Sequence, residues 1–371
     1  MSGVKMFGSF FGASGYAEAS RQYALALHEA GVPVTLTPVE FSKVEPDLGA
    51  DGERLRQLCN RSIEYDTVLV SSTPDVWAGI TQDEQDKRII GMTAWETTKL
   101  HPVWASACNR VDAVWVPCTW NRDVFQQSGV QVPVEVVPHI SQVDAEGAHS
   151  DLDLPGIPAD SFVFYSIFHW QERKNPRDLL DAYIAAFAGH RDVTLVLKTF
   201  IETPGESPER ALELIAEAKA RCNAMRYPRI VPLVATLSEA EIAALHHRGD
   251  CFVLLQRAEG WGLPHFAAAA HGNPVITTAL GGPTDFLHED SAYLVDYSLR
   301  PVTGMNWSPY YAVEGRWASP NVDQAVALLR HVYENRDEAR SRGAKARDDI
   351  NRRFSRTLVG QRMVDLLRGS D

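Results

Sequence analysis

Nowhere in the 371 residues does an apolar run approach the roughly 20 residues that span a membrane. The first residues, MSGVKMFGSFFG, have neither the apolar core nor the cleavage pattern of a signal peptide. A cytoplasmic chain without integral membrane association is therefore the expectation. Basic charge is also scarce. The formal net charge is -12, and phosphate-backbone binding needs clustered Lys and Arg, so nucleic acid is not an expected partner. Cysteines are few. Cys59, Cys108, Cys118, Cys222 and Cys251 are odd in number and never form a CxxC pair, which excludes a disulfide framework and the usual zinc motifs. The 12 histidines show no metal-site spacing, and no DxD-type acidic cluster closes a strand. No metal and no cofactor is expected. There is no GxGxxG fingerprint and no Walker lysine pattern.

What is present is a steady alternation of short apolar runs with amphipathic stretches, the pattern of parallel sheets flanked by helices. Six strands are read in the first half: VKMFG, VPVTLTP, DTVLVSS, KRIIGMT, DAVWVP and VEVVP. Six more follow: FVFYSIF, VTLVLKTF, RIVPLV, DCFVLLQ, NPVITT and AYLV. Between the two series lies a polar, glycine- and proline-bearing stretch, SQVDAEGAHSDLDLPGIPAD, and from Asn321 the tail is helical. The fold class is α/β, with two Rossmann-like doubly wound domains facing across a cleft at the carboxyl ends of their strands. The boundaries read as residues 1–145 for the first domain, 146–160 for a linker, 161–345 for the second domain and 346–371 for a last helix packing back on the first.

Chemistry concentrates in three places. After the first strand, Gly12, Ala13, Ser14 and Gly15 form a turn in which backbone amides can approach a phosphate, with Ser14 available as a helix cap. After FVFYSIF come Arg173 and Lys174, two cations where a strand meets its helix, and Lys198 ends the neighbouring strand. A solvated basic pair is the plainer reading of Arg173 and Lys174, and a surface lysine that of Lys198. After DCFVLLQ comes RAEGWGLPHFAAAAHG. Here Glu259 precedes a turn of Gly260, Trp261, Gly262 and Leu263, and Pro264 suits a first helical turn. Free amides at that helix start suit an anion, and a carboxylate beside them suits sugar hydroxyls.

The segment RAEGWGLP…HGNPVITTALGGPTDFL resembles the signature of retaining glycosyltransferases of the glycosyltransferase B fold, in particular glycosyltransferase family 4. GSFFGASGYAEASRQ, WETTKLHPVWASACNRVDAVWVPCTWNRDVFQQSGV and RKNPRDLL are similar to other segments of that family, so the resemblance runs over nearly the whole chain. It implies that Lys174 holds the donor diphosphate and that Glu259 binds the donor sugar. Gly260 to Leu263 and the Gly12 loop would approach the diphosphate. Backbone at Val234, Ala235, Thr236 and Leu237 would hold the base. His169 stands where many members carry an arginine, leaving Arg173 to take that part. The implied partners are a nucleoside-diphosphate sugar and a glycan, lipid-linked, protein or small-molecule acceptor.

One residue departs from the pattern. The family's second acid falls eight residues after the first, and position 267 is alanine. A lost charge-assisted hydrogen bond to ribose costs roughly 1.5–3 kcal/mol. His271, one helical turn on from Ala267, is a candidate replacement. Three readings stay open: a metal-independent retaining hexosyltransferase weakened by Ala267, a non-catalytic relative that binds nucleotide or a partner, and an NAD-dependent oxidoreductase. Against the last, the nearest acid after the first glycine turn is Glu40, which does not end a strand at the required spacing. On the acceptor side, Trp95, Glu96 and His101 are the candidate pocket wall, with ordinary core packing the alternative for Trp95 and Trp104.

Overall fold

The structure is a computed structural model that describes residues 2–39, 48–141, 156–200, 208–235, 237–312 and 314–369. Thr236, Glu40 and most of the expected linker lie outside the described residues. The chain divides into two compact units, one formed by Met1–Gln142, Tyr310–Gly315 and Asn351–Asp371, the other by Val143–Pro309 and Arg316–Ile350.

Unit 1 runs β1 (Gly3–Gly8), α1 (Gly15–Glu29), β2 (Val34–Pro38), α2 (Gly49–Leu58), β3 (Tyr65–Ser71), α3 (Pro74–Ile80), β4 (Arg88–Met92), α4 (Pro102–Cys108), β5 (Ala113–Val116), α5 (Thr119–Gln127) and β6 (Val134–Val136). Its strands are parallel in the order β2-β1-β3-β4-β5-β6. The order reverses at β1, so the crevice at a doubly wound sheet's switch point opens at the carboxyl ends of β1 and β3. The turn holding Gly12 to Gly15 starts there.

Unit 2 continues with β7 (Phe162–His169), α6 (Pro176–Phe187), β8 (Val193–Phe200), α7 (Pro208–Cys222), β9 (Arg229–Val234), α8 (Glu239–Arg248), β10 (Cys251–Leu254), α9 (Leu263–Ala270), β11 (Val275–Thr278) and β12 (Tyr293–Val295). Its parallel order is β12-β11-β10-β7-β8-β9, with the reversal between β7 and β10. All twelve strands of the sequence reading are thus found. A further antiparallel pair was not read from the sequence: β13 (Tyr297–Pro301) with β14 (Arg316–Pro320). Then come α10 (Val322–Glu334), α11 (Arg336–Arg353) and α12 (Arg356–Arg368).

The boundary between units falls inside α11, after Ile350. Helix α12 completes unit 1. Val359, Met363 and Val364 join the core with Leu25, Leu69 and Ile90. Gly360 lies so close to α1 that a Cβ there would sit 2.8 Å from the Ala26 carbonyl oxygen. Arg356 fastens the crossing by donating to Gln22 Oε1 at 2.8 Å, Glu29 Oε1 at 3.0 Å and Asp51 Oδ2 at 2.9 Å. The segment Tyr310–Gly315, which the sequence reading keeps in the second domain, belongs to unit 1. The cause is aromatic burial: Tyr311 stacks on Trp95 with centroids 4.9 Å apart, and Tyr310 tilts against Trp104 at 5.3 Å.

Candidate active site at the switch point of unit 2

Strand β7 delivers a 3-10 turn, Glu172–Lys174, and then α6. Asn175 makes this possible. It adopts a left-handed conformation (φ 55°), which asparagine tolerates better than most residues, and Pro176 then starts the helix. Its Nδ2 donates to the Leu255 carbonyl at 2.8 Å, and the Arg257 amide donates back to the Arg173 carbonyl at 2.7 Å. The two loops at the switch point are therefore laced together before any side chain meets a ligand.

That lacing brings Lys174, Arg173 and Glu259 into one place. Lys174 Nζ donates to Glu259 Oε1, and Arg173 Nη1 lies 3.6 Å from Oε2. Lys174 and Glu259 are 7% and 5% exposed, low enough that neither charge is stable without the other. Burial pushes the Glu259 carboxyl up, but Lys174 and Arg173 outweigh it and hold it below the usual carboxylate value. The acid is a carboxylate flanked by two cations.

Beneath it lies a polar network with one consistent hydrogen assignment. The Thr278 carbonyl can only accept, so Gln256 presents Nε2 to it at 3.2 Å and turns Oε1 toward His265 Nε2 at 3.1 Å. His265 must then carry its proton on Nε2. Burial lowers its pKa to about 4, so the ring is neutral near pH 7 and does not compete with the cations for Glu259. Its Nδ1 has no hydrogen-bond partner among the described residues and lies against Gly262.

The backbone of the Glu259 turn is set by two glycine features. Gly262 is left-handed (φ 92°) and begins α9. Gly281 (φ 83°, ψ -158°) and Gly282 pack directly on the turn, where Cβ atoms would fall 2.4 Å from the Glu259 carbonyl oxygen and 2.3 Å from Trp261 Cα. The Gly282 amide donates to the Glu259 carbonyl at 3.0 Å. The unforeseen β14 adds a brace, its Ala318 amide donating to the Arg257 carbonyl at 2.8 Å.

Other expected donor residues are not gathered here. Lys198 is on the same carboxyl edge, but its Nζ lies 5.2 Å from the Phe200 ring centre and forms no ion pair among the described residues. Burial lowers its pKa. His169 stacks on Phe200 at 4.5 Å and meets Gln171 at 2.7 Å. Val234 and Leu237 are half-buried and Ala235 exposed, at the end of β9, two strands from β7. Ala267 is half-buried on α9, and its carbonyl accepts from His271 Nδ1 at 2.8 Å. His271 also stacks on the buried His246 at 4.6 Å. The imidazole is thereby held at the far end of α9 and does not stand in for the missing acid.

In unit 1 the Gly12 loop is anchored from below. Arg21, 6% exposed, donates to the Gly12 carbonyl at 2.8 Å and the Phe10 carbonyl at 3.3 Å. In a trans peptide the next amide points the opposite way, so Ala13 turns its N–H away from Arg21. Ala13, Ser14 and Gly15 are exposed, and Ser14 caps α1 by accepting from Ala17 at 3.2 Å. Of the acceptor candidates, Trp95 is a core residue whose indole N–H donates to the Lys99 carbonyl at 2.7 Å. His101 caps α4 by accepting from the Val103 amide at 3.2 Å. Glu96 accepts from Tyr311 at 2.9 Å, and Tyr16, whose phenol burial raises to about 12, bonds Thr93 at 2.9 Å. Tyr16 and Tyr311 carry the polar tips that the sequence reading missed. Tyr311 arrives from 215 residues away, so no local pattern could announce it.

With this geometry in view, residues 159–299 match the family model described as glycosyl transferases group 1. The matched residues all lie within unit 2. Among curated proteins, none matches the chain by sequence. Solved structures do match over the whole length. HepE from Anabaena, in complex with UDP and glucose, is 15% identical with all of both chains covered and a TM-score of 0.66. Sucrose-phosphate synthase from Thermosynechococcus elongatus is 15% identical, with 99% of this chain and 98% of that one covered and a TM-score of 0.68. The α,α-trehalose 6-phosphate synthase of Burkholderia multivorans is 13% identical over the same shares, also with a TM-score of 0.68. The chain therefore has the GT-B fold. Lys174, Arg173 and Glu259 all lie inside the residues that the family model matches.

Proposed function

We propose that the chain is a retaining glycosyltransferase that moves a hexosyl group from a nucleoside-diphosphate sugar to a hydroxyl acceptor without a metal. The observation that carries this reading is the buried Lys174–Glu259 pair with half-buried Arg173 beside it at the switch point. Two cations against one carboxylate leave a surplus positive charge for a diphosphate, while a carboxylate held ionised accepts from sugar hydroxyls. As the anomeric C–O bond breaks, its electron pair leaves with the diphosphate. Lys174 and Arg173 stabilise that developing charge, which is the main term in such chemistry. The acceptor hydroxyl bonds to the anomeric carbon on the same face and passes its proton to the departing phosphate oxygen. HepE, solved with UDP and glucose, favours UDP-hexose as the first donor to try.

A thermal-shift panel of UDP, GDP, dTDP, CDP and NAD tests the donor class. A ligand at 100 times its Kd stabilises by about 2.7 kcal/mol. One nucleoside diphosphate is expected to stand out, and a winning NAD would sink the reading. In the Ala267→Glu variant the donor KM is expected to fall roughly tenfold to a hundredfold, the worth of one charge-assisted hydrogen bond. Absence of turnover in both forms on every donor would favour the non-catalytic relative instead. For the acceptor side, Glu96→Gln is expected to raise the acceptor KM roughly tenfold while leaving the donor KM unchanged. Equal changes in both would remove Glu96 from the acceptor site.

A further inference from the structure

At the opposite edge of the unit 2 sheet, where β8 and β9 begin, the structure holds an open cavity of about 490 Å³. Its wall carries His190, Arg191, Lys219 and Arg229, together with the Tyr227 ring, and no carboxylate among the described residues. Such a grouping is unexpected in a chain of net charge -12. The Arg191 and Lys219 side chains form no ion pair or hydrogen bond among the described residues, the Lys219 ammonium only resting over Tyr227 at 5.9 Å. Arg229 spends one nitrogen on the Gly156 carbonyl at 2.8 Å. Asp192, beside the wall, accepts from Tyr333 and lies 3.6 Å from His190 Nδ1.

The walls are built rather than loose. The Gly189 amide donates to the Arg226 carbonyl at 3.1 Å, tying the turn after α6 to the segment before β9. Tyr183 donates to the Arg229 carbonyl at 3.0 Å, and Thr194 pairs with Arg229 in the ladder. Repulsion among cations gathered on fixed walls is relieved by an anion, and the volume lies within the range of small-molecule sites. A strand of eight residues such as β8 is roughly 26 Å long, so this cavity is separate from the Lys174 site at the carboxyl edge.

We propose that this cavity is a second anion site, for a phosphate-bearing ligand that is not the sugar donor. Phosphate of this kind is offered both by small soluble molecules and by the headgroup of an anionic lipid. Met225, fully exposed two residues before Tyr227, lies on the same segment.

The test is calorimetric titration of inorganic pyrophosphate into the Lys174→Ala protein, in which the donor site is weakened, alongside pelleting with phosphatidylglycerol vesicles. Binding is expected in at least one arm, and adding Lys219→Glu or Arg191→Glu should weaken it at least tenfold, with unchanged melting temperatures confirming the fold. Pyrophosphate binding marks a soluble ligand, and vesicle binding alone marks a headgroup. No binding in either arm overturns the proposal, as does binding that neither substitution changes.

Discussion

Replacing Lys174 by methionine is expected to slow sugar transfer roughly 10²- to 10³-fold, the usual worth of one preorganised group facing developing charge. The same change is expected to weaken the fold. Glu259 is buried, and its remaining cation, Arg173, lies 3.6 Å away. Breaking a buried pair costs about 3 kcal/mol, which for a unit of this size lowers Tm by roughly 6–12 °C. Losing Lys174 also lets the Glu259 carboxyl rise, because burial then meets less opposition. In the native protein the depressed carboxyl contributes stability that is fully present above the unfolded value and is lost as pH falls through the folded one. In the variant that acid loss should shrink, because the folded value then lies closer to the unfolded one. Adding Glu259→Gln should recover much of the Tm and none of the rate. A double variant as unstable as the single one would mean that the pair is not what Lys174 stabilises.

The second large effect is expected at Gly281, which touches neither a charge nor the solvent-facing side of the site. Its backbone angles belong to a region open almost only to glycine, and a Cβ would fall 2.4 Å from the Glu259 carbonyl oxygen. Gly281→Ala therefore meets strain and collision together. A loss of about 3 kcal/mol or more is expected, read as a lower denaturation midpoint, with transfer falling because the turn that aims Glu259 must move. Gly189→Ala is the control. It has a similar positive φ of 90° but open space around it, so it should cost about 1 kcal/mol. Equal losses at the two positions would show that the collision with Glu259 is absorbed elsewhere.

The sequence disclosed what depends on local pattern. The strands of the two parallel sheets announce themselves as short apolar runs, most plainly the inner ones, because a strand buried on both faces has no polar side to display. Arg173, Lys174 and Glu259 were legible because the switch point of a doubly wound sheet always lies where two strands end, and those strands could be found. What escaped notice depends on distance. The β13–β14 pair encloses a segment that packs on unit 1, so neither strand reads as half of a tight hairpin. Gln256 and His265 sit in apolar surroundings, and their meeting is fixed by the geometry between β10 and α9. Lys198 was placed at the right edge but against Phe200, because register fixes a residue's height along a strand and not the direction of a long side chain. The contribution of Asn175 could have been read from the dipeptide Asn-Pro after a basic pair, since a left-handed asparagine before a helix-starting proline is a recurring turn.

The Gly360 crossing of α12 over α1 has a consequence for how the molecule is made. Unit 1 opens the chain, yet its core lacks Val359, Met363 and Val364 until the last helix is synthesised. Unit 2 has all of its parallel strands by residue 295, long before that. During synthesis unit 1 is therefore begun before unit 2 and finished after it. Until then the α1 surface that receives Gly360 waits uncovered for roughly 330 residues of translation, at about 5–20 residues per second. Removing α12 should thus injure unit 1 before unit 2.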